Sequence, residues 1–337
     1  MDKKPFLVDV PVKINIWIRP DFQKKQWEII RQARPSVIFL QSDGGRTESE
    51  KRIICENRKM IEDTIDWECT LFKLYEDNNL GLYKMAAKTR EFIWSKVDRC
   101  IFMEDDQIVS VSFFNFCAEL LEKYKDDERI ECICGTNLLN EYEDASSDYF
   151  FSRQGSIWGV ATWRRVYKTR GIFDYYQDNY TMNLLKERTR KNKTIWKRLN
   201  AYGKSRIYEN HVAGSEFWIE FDMYAQNRLQ IIPKYNLVSN IGCDEKATHI
   251  DSYKKLSKKM RKVFYKPVFE YAFPLKHPLY VIPDVKYEKL RNKCISYNTP
   301  VFFVLMKRIR NFFKHLIKLD IKYFSERIKK KKIEEEK

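Results

Sequence analysis

CIFMEDD, residues 100–106, runs from an apolar strand directly into three consecutive carboxylates. Carboxylates crowded at a strand end repel one another unless a cation or a set of N–H donors shares them. Mg2+ or Mn2+ suits such a cluster, because these hard ions take one or two protein carboxylates and fill their other positions with phosphate oxygens and water. A plainer use of the same residues is an acidic turn before a helix, where Asp105 or Asp106 would favour the helix N-terminus.

Around this stretch, strand-like and helix-like segments alternate. Val12–Ile18 alternates apolar and polar residues and meets Pro20, Phe22 to Ala33 has helical spacing, Val37–Leu40 is a compact apolar run, and Thr47 to Ile65 is helical again. Cys69–Tyr75 reads as strand, Gly81–Lys96 as helix, Arg99–Met103 as strand, Ser112–Lys125 as helix and Ile130–Cys134 as strand. The alternation predicts an α/β fold with a mostly parallel central sheet and helices on both faces. In such sheets ligands bind outside the carboxyl ends of the strands. Three polar clusters follow strands and are expected to line one crevice: Gln41–Arg46, Asp77–Asn79 and Glu104–Asp106.

In the first cluster the paired glycines, Gly44 and Gly45, let backbone approach a ligand. Asp43 can accept hydrogen bonds from a base or ribose, and Arg46 can pair with phosphate, although a plain tight turn uses the same residues. In the second, EDNNLGLYK at residues 76–84, Gly81 opens a helix whose N-terminus favours anions. Lys84 in its first turn can meet a diphosphate or simply stay solvated. Residues 149–250 are less regular, with an aromatic segment, a basic stretch at Lys186–Arg206, a helix over Glu216–Gln226 and a strand over Leu229–Ile232.

The chain has 337 residues, 63 Lys and Arg against 47 Asp and Glu, a net charge of +16 and 44% hydrophobic residues, which excludes disordered, collagen-like and disulfide-scaffold classes. Eight cysteines form no CxxC pair and read as reduced core residues. Residues 251–337 hold 24 basic and 9 acidic residues, leaving 39 and 38 for residues 1–250, so a near-neutral domain precedes a basic tail. The N-terminal residues lack the apolar core and cleavage site of a secretory signal, and no stretch reaches the roughly 18–20 uncharged apolar residues of a spanning helix. The body is accordingly expected in the cytoplasm.

Three blocks, NLGLYKMAAKTREFIWSKVDRCIFMEDDQIVSVSFFNFCAELLEKYKDDERIECICGTN, SIWGVATWRR and IIPKYNLVSNIGCDEKATH, occur in order between residues 79 and 249 and carry a resemblance that covers roughly residues 10–250. Together they resemble the family 2 group of GT-A fold glycosyltransferases, and within it bacterial nucleotide-diphospho-sugar transferases of the hemolytic-protein-like group. The resemblance implies a Rossmann-like GT-A domain over residues 1–250, with a donor half at about 1–140 and an acceptor half at about 141–250. It implies metal-assisted, inverting transfer of a sugar from a nucleotide-diphosphate sugar, with a UDP-sugar favoured, to a glycan or lipid-linked glycan in bacterial surface polysaccharide synthesis. Carried over by residue, Glu104, Asp105 and Asp106 form the metal motif, with Asp106 touching Mn2+ or Mg2+. Asp43 faces the nucleoside; Gly44, Arg46, Asn79 and Lys84, read from their own loops, are the further candidates for donor binding. Trp158, Gly159, Thr162 and Trp163 match the family's WGWATW block, with Val160 in place of its second Trp. Glu216 falls at the catalytic base, Glu220 and Asp222 being rivals, and His249 stands as a further metal ligand. Asn236 and Asn240 are expected to organise loop backbone beside the donor. Apart from the resemblance, inverting transfer requires a carboxylate to take the acceptor proton.

The tail from Asp251 to Lys337 reads as a basic extension with an amphipathic helix at about 300–328. Ile309, Phe312, Phe313, Leu316 and Ile317 share one face, with Lys and Arg between them. Such a helix suits an anionic membrane surface, placing the enzyme peripherally at the inner face of the cell membrane, or packs on the body or a partner subunit. No nucleic-acid motif accompanies the charge, so nucleic acid is not an expected partner. The alternative readings are a nucleotidyltransferase of related fold, which should carry a glycine-rich loop where Trp17-Ile18-Arg19-Pro20 stands, and a non-catalytic membrane- or polyanion-binding module.

Overall fold

In the computed structural model, residues 3–169, 174–190, 195–200, 215–243 and 261–295 are described, with positions 306 and 310. The chain forms two compact units, Met1–Ile295 and Ser296–Lys337. His249, residues 191–194 and 201–206 of the basic stretch Lys186–Arg206, and nearly all of the predicted amphipathic helix lie outside the described residues.

The first unit is built on an eight-stranded mixed sheet. In chain order its strands are β1 (Val8–Asn15), β2 (Pro35–Ser42), β3 (Thr70–Tyr75), β4 (Arg99–Met103), β6 (Ile130–Cys134), β7 (Tyr149–Ser152), β8 (Val160–Trp163) and β9 (Leu229–Pro233). Their spatial order is β3-β2-β1-β4-β8-β6-β9-β7. Strands β3, β2, β1 and β4 pair in parallel, β8 runs antiparallel between β4 and β6, β9 lies parallel to β6, and β7 is an antiparallel edge. A second, two-stranded antiparallel sheet joins β5 (Gln107–Val109) to β10 (Val238–Asn240).

Helices cover both faces because successive strand residues point to opposite sides. On β2, Ile38 and Leu40 enter a core with Trp27 and Ile30 of α1 (Pro20–Ala33), Ile61 of α2 (Glu48–Asp63) and Phe113 to Leu121 of α4 (Ser112–Lys123). Phe39, between them, faces Ile93 and Trp94 of α3 (Leu82–Trp94). Further along the sheet, Ile133 and Ile231 join the first core. Cys132, Cys134 and Ile232 pack instead against the Ser215–Ala225 helix, α5 (Asn179–Arg188) and the Val285–Cys294 helix. This is the mostly parallel, two-faced fold the sequence predicts, with β7 and β8 as antiparallel insertions.

The expected domain boundary at residue 250 moves. Leu275 sits in the main core and Tyr287 in the second, while Glu270 caps α4 by accepting from the amides of Val111 (2.9 Å) and Ser112 (2.7 Å). Within residues 261–295, exposed lysines such as Lys262, Lys276 and Lys289 decorate a segment whose apolar residues complete the body. The described cysteines are all free, five of them buried. No helix among the described residues is long and apolar enough to cross a membrane.

Candidate active site

Strands β1, β2, β3 and β4 end on one edge, and the three polar clusters meet there. Asp43, directly after β2, is a clamp between two loops. Its Oδ1 accepts from the amides of Gly44 (2.9 Å) and Leu80 (2.8 Å), and its Oδ2 from the amide of Gly81 (2.9 Å) and from Asn79 Nδ2 (3.2 Å). Asn79 also donates to the Gly44 carbonyl at 2.8 Å. A side chain at Gly44 would overlap the backbone of Asp77 and Asn78, so the two loops approach this closely only through glycine. Four donors engage the carboxylate of Asp43, so it ties together the two loops that form the wall of the crevice. Asp43→Ala strips three backbone amides of their acceptor and is expected to lower unfolding free energy by about 2 to 3 kcal/mol in urea denaturation.

Sequence reasoning missed the cation that secures this wall from behind. Arg58, on α2, stacks 4.4 Å from the Tyr75 ring centroid and donates to Ser42 Oγ and to the carbonyls of Ser42, Asp43 and Glu76. Arg46 lies over Trp17 at 5.6 Å and is paired with Glu50 at the rim. Lys84, in the first turn of α3, is exposed.

After β4 come the three carboxylates. Asp106 accepts from Arg19 Nη1 through Oδ2 and from Asn240 Nδ2 through Oδ1, both at 3.2 Å. The pairing of β5 with β10 brings Asn240 there, and the backbone of Gly242 closes so tightly over Asp106 that any side chain would overlap the carboxylate. Asn236, by contrast, bonds the amide of Asn137 and the carbonyls of Val238 and Pro267. Asp105 has its Oδ2 buried with no hydrogen-bond partner, 4.0 Å from Arg19 Nη1. Burial, reinforced by Asp106, pushes the Asp105 carboxyl up to about 6 against the pull of Arg19.

Glu104 keeps one side open to solvent, yet the protein around its other sides strips enough hydration to push its carboxyl up to about 7. Asp106, Asp105 and Glu216 push it the same way, and Lys13 opposes them. Lys13, buried on β1, is itself lowered to about 8 by desolvation, with Glu104 and Asp105 drawing it back up. A folded-state carboxyl above its ordinary value takes up its proton in the native state first, so stability rises as pH falls from about 7 toward 4.5. Glu104→Gln is therefore expected to melt higher than the wild type at pH 7, with the difference closing near pH 4.5 in thermal scans across that range.

The site fits a hard divalent ion. An orphaned carboxylate oxygen on Asp105, with the proton affinity of Asp105 and of Glu104 raised, is what mutually repelling acids show. Among the described residues no three His, Cys, Asp or Glu form a complete cage, and Mg2+ or Mn2+ beside a diphosphate needs only one or two carboxylates. The orphaned oxygen adds Asp105 to Asp106 as a prospective ligand.

Gln26 and Gln107, both buried, frame this loop. Gln26 Nε2 donates to the carbonyls of Glu104 (2.6 Å) and Gln107 (2.8 Å). Gln107 Oε1 accepts from the amides of Glu104 and Gly159, tying the WGVATW block to the acidic cluster. Trp158 is half-buried and tilted against Phe264 at 5.2 Å. The antiparallel register of β4 and β8 places Val160 opposite Phe102, near the crevice, but Trp163 opposite Arg99, at the far end of the strand. Trp163 is buried and donates to the Leu121 carbonyl, and Thr162 donates to the Glu131 carbonyl. Trp163 is thus a core residue, which corrects its assignment to the donor site.

Glu216 occupies the exposed first turn of its helix, near enough to Glu104 to raise its proton affinity. Its rivals are engaged elsewhere. Glu220 is paired with Arg198, and Asp222 is fully buried, 3.9 Å from Arg228, whose Nη1 also meets Glu131 at 3.1 Å.

The fold and site together define an α/β protein with an acidic, cation-seeking crevice at the carboxyl edge of its sheet. No family model and no curated protein matches the chain. Among solved structures it is similar to a mannosyltransferase from Pyrobaculum calidifontis in complex with GDP-Man and Mn2+, at TM-score 0.34 and 11% identity over 49% of either chain. It is similar also to 4-diphosphocytidyl-2C-methyl-D-erythritol synthase from Anaerococcus prevotii, at TM-score 0.35 and 8% identity over 68% of this chain and 88% of that one. A third similarity is to the glycosyltransferase GlyE of Streptococcus pneumoniae, at TM-score 0.23 and 11% identity over 68% and 55%. The chain spans about half the length of the mannosyltransferase. At such scores these likenesses carry no weight for function, which rests on the topology and side chains described above.

Proposed function

We propose that the chain is a glycosyltransferase that moves a sugar from a nucleoside-diphosphate sugar, a UDP-sugar in the first instance, to a hydroxyl of a glycan or lipid-linked glycan, with inversion. The observation that carries this reading is the convergence of four carboxylates, Glu104, Asp105, Asp106 and Glu216, on the edge where β1, β2 and β4 end. Asp106 and Asp105 hold the divalent ion, which when bound supplies positive charge to the leaving diphosphate. Arg19 stands beside both carboxylates, so its guanidinium adds to that charge. Lys84 and the rim cation Arg46 attract the donor phosphates. The clamp of Asp43, Asn79 and Arg58 keeps the donor loops in place, and Trp158 with Gly159 forms the wall toward the acceptor. Glu216 takes the proton of the acceptor hydroxyl as its oxygen bonds to the anomeric carbon and the bond from that carbon to the diphosphate oxygen breaks.

The test is product analysis. With Mn2+ present, a panel of nucleotide sugars should yield free nucleoside diphosphate, slowly with water and faster with the right acceptor. Release of pyrophosphate from a nucleoside triphosphate and a sugar phosphate, with no nucleoside diphosphate from any sugar nucleotide, would replace this reading with nucleotidyl transfer.

A further inference from the structure

Three of the four most exposed large apolar side chains among the described residues lie together. Leu279 is 85% exposed, Tyr280 68% and Ile282 66%, within the stretch Tyr271–Pro283 that contains no acidic residue. Single exposed leucines are common on soluble proteins, but three large apolar residues within four positions form a patch.

This segment is held firmly at both ends. On one side Leu275 is buried, its amide donates to Glu119 Oε1 at 3.1 Å, and Lys276 exchanges two hydrogen bonds with Asp148, at 2.5 Å and 2.9 Å. On the other, Pro283 bridges Phe151 in a parallel sense and the Asp284 amide donates to the Phe151 carbonyl at 2.8 Å. Pro278 and Pro283 stiffen the span between these pins. Val281 packs inward on the core while Leu279, Tyr280 and Ile282 point out, so the tip cannot fold its apolar groups away without breaking its anchors.

The segment that bears the tip, residues 271–295, holds five Lys and Arg against two Asp and Glu and is basic on balance. Lys276, Lys289 and Lys293 are exposed, Asp284 accepts from the Tyr142 hydroxyl and the Tyr287 amide, and Glu288 accepts from the Arg153 amide. Exposed Lys286 is balanced by Asp144. Apolar side chains with an aromatic among them, flanked in sequence by exposed lysines, have the chemistry of an interfacial anchor on anionic lipid, where Tyr sits among headgroups and Leu and Ile enter the acyl boundary.

We infer that the pinned loop Pro278–Ile282 is a membrane-contacting tip that inserts Leu279, Tyr280 and Ile282 into the surface of an anionic bilayer. The inference is independent of the transferase reading and differs from an amphipathic-helix anchor in naming a rigid loop of the body. A peripheral attachment of this kind needs two signals, apolar insertion and basic charge, and the chain supplies both.

The experiment is sedimentation of the full-length chain with vesicles of phosphatidylglycerol and phosphatidylcholine in equal amounts. The wild type is expected to partition onto them and far less onto phosphatidylcholine alone. Leu279→Ser with Ile282→Ser, which alters no charge and removes side chains that are mostly exposed, should lower the partition coefficient about tenfold or more while leaving the melting temperature in place. Tyr280→Trp should raise it, Trp being the stronger interfacial residue. Failure of the wild type to bind, or equal binding by wild type and the serine variant, overturns the inference. So does a serine variant that binds vesicles normally but changes sedimentation velocity from dimer to monomer, which would make the patch a contact between copies of this chain.

Discussion

Asp106→Asn is expected to abolish the metal-dependent part of nucleoside-diphosphate binding and to slow sugar transfer by about a hundredfold to a thousandfold. The substitution is nearly isosteric, and the amide oxygen can still accept from Asn240. It removes the negative charge that faces Arg19 and, with the orphaned oxygen of Asp105, would neutralise a divalent ion. Binding measured without metal should be nearly unchanged, which separates loss of the ion from loss of the fold. An Asp106→Asn protein with wild-type metal dependence would move the ion site to Glu104 and Asp105.

Glu216→Gln is expected to lower turnover by about a hundredfold to ten-thousandfold, with donor affinity and melting temperature unchanged. Its side chain is exposed and begins a helix, so the amide costs the fold little. Glu220→Gln should behave in the opposite way. It releases Arg198 from its ion pair, so the change should appear in stability before it appears in rate. Steady-state rates and thermal unfolding of the two variants side by side decide the matter. A normal rate for Glu216→Gln together with a dead Glu220→Gln would transfer the role of base.

Much of the donor half was legible because its signals are local. Strands Arg99–Met103 and Ile130–Cys134 follow from compact apolar runs flanked by charge, and the acidic triplet sits where a parallel strand must end. The antiparallel strands β7 and β8 were not legible, since buried on both faces they read only as an aromatic segment. Trp163 went astray for the same reason: a motif gives spacing, whereas the register of β8 on β4 decides which end of the strand each residue occupies. Arg19, Arg58, Gln26 and Gln107 escaped notice because their significance lies in partners distant in sequence, such as Gln107 to Gly159. The boundary at residue 250 failed because net charge reports the surface, while Leu275 and Tyr287 report the core. Prolines and spaced aromatics between Phe264 and Tyr287 were the available sign that this segment packs on a body.

The most direct test of the central claim is a calorimetric titration of the protein with UDP and with GDP, each in the presence and absence of Mn2+. The account predicts saturable binding of one of them that strengthens markedly with Mn2+, and little without it. Absence of binding to either nucleotide, with Mn2+ present and the protein folded, would contradict it.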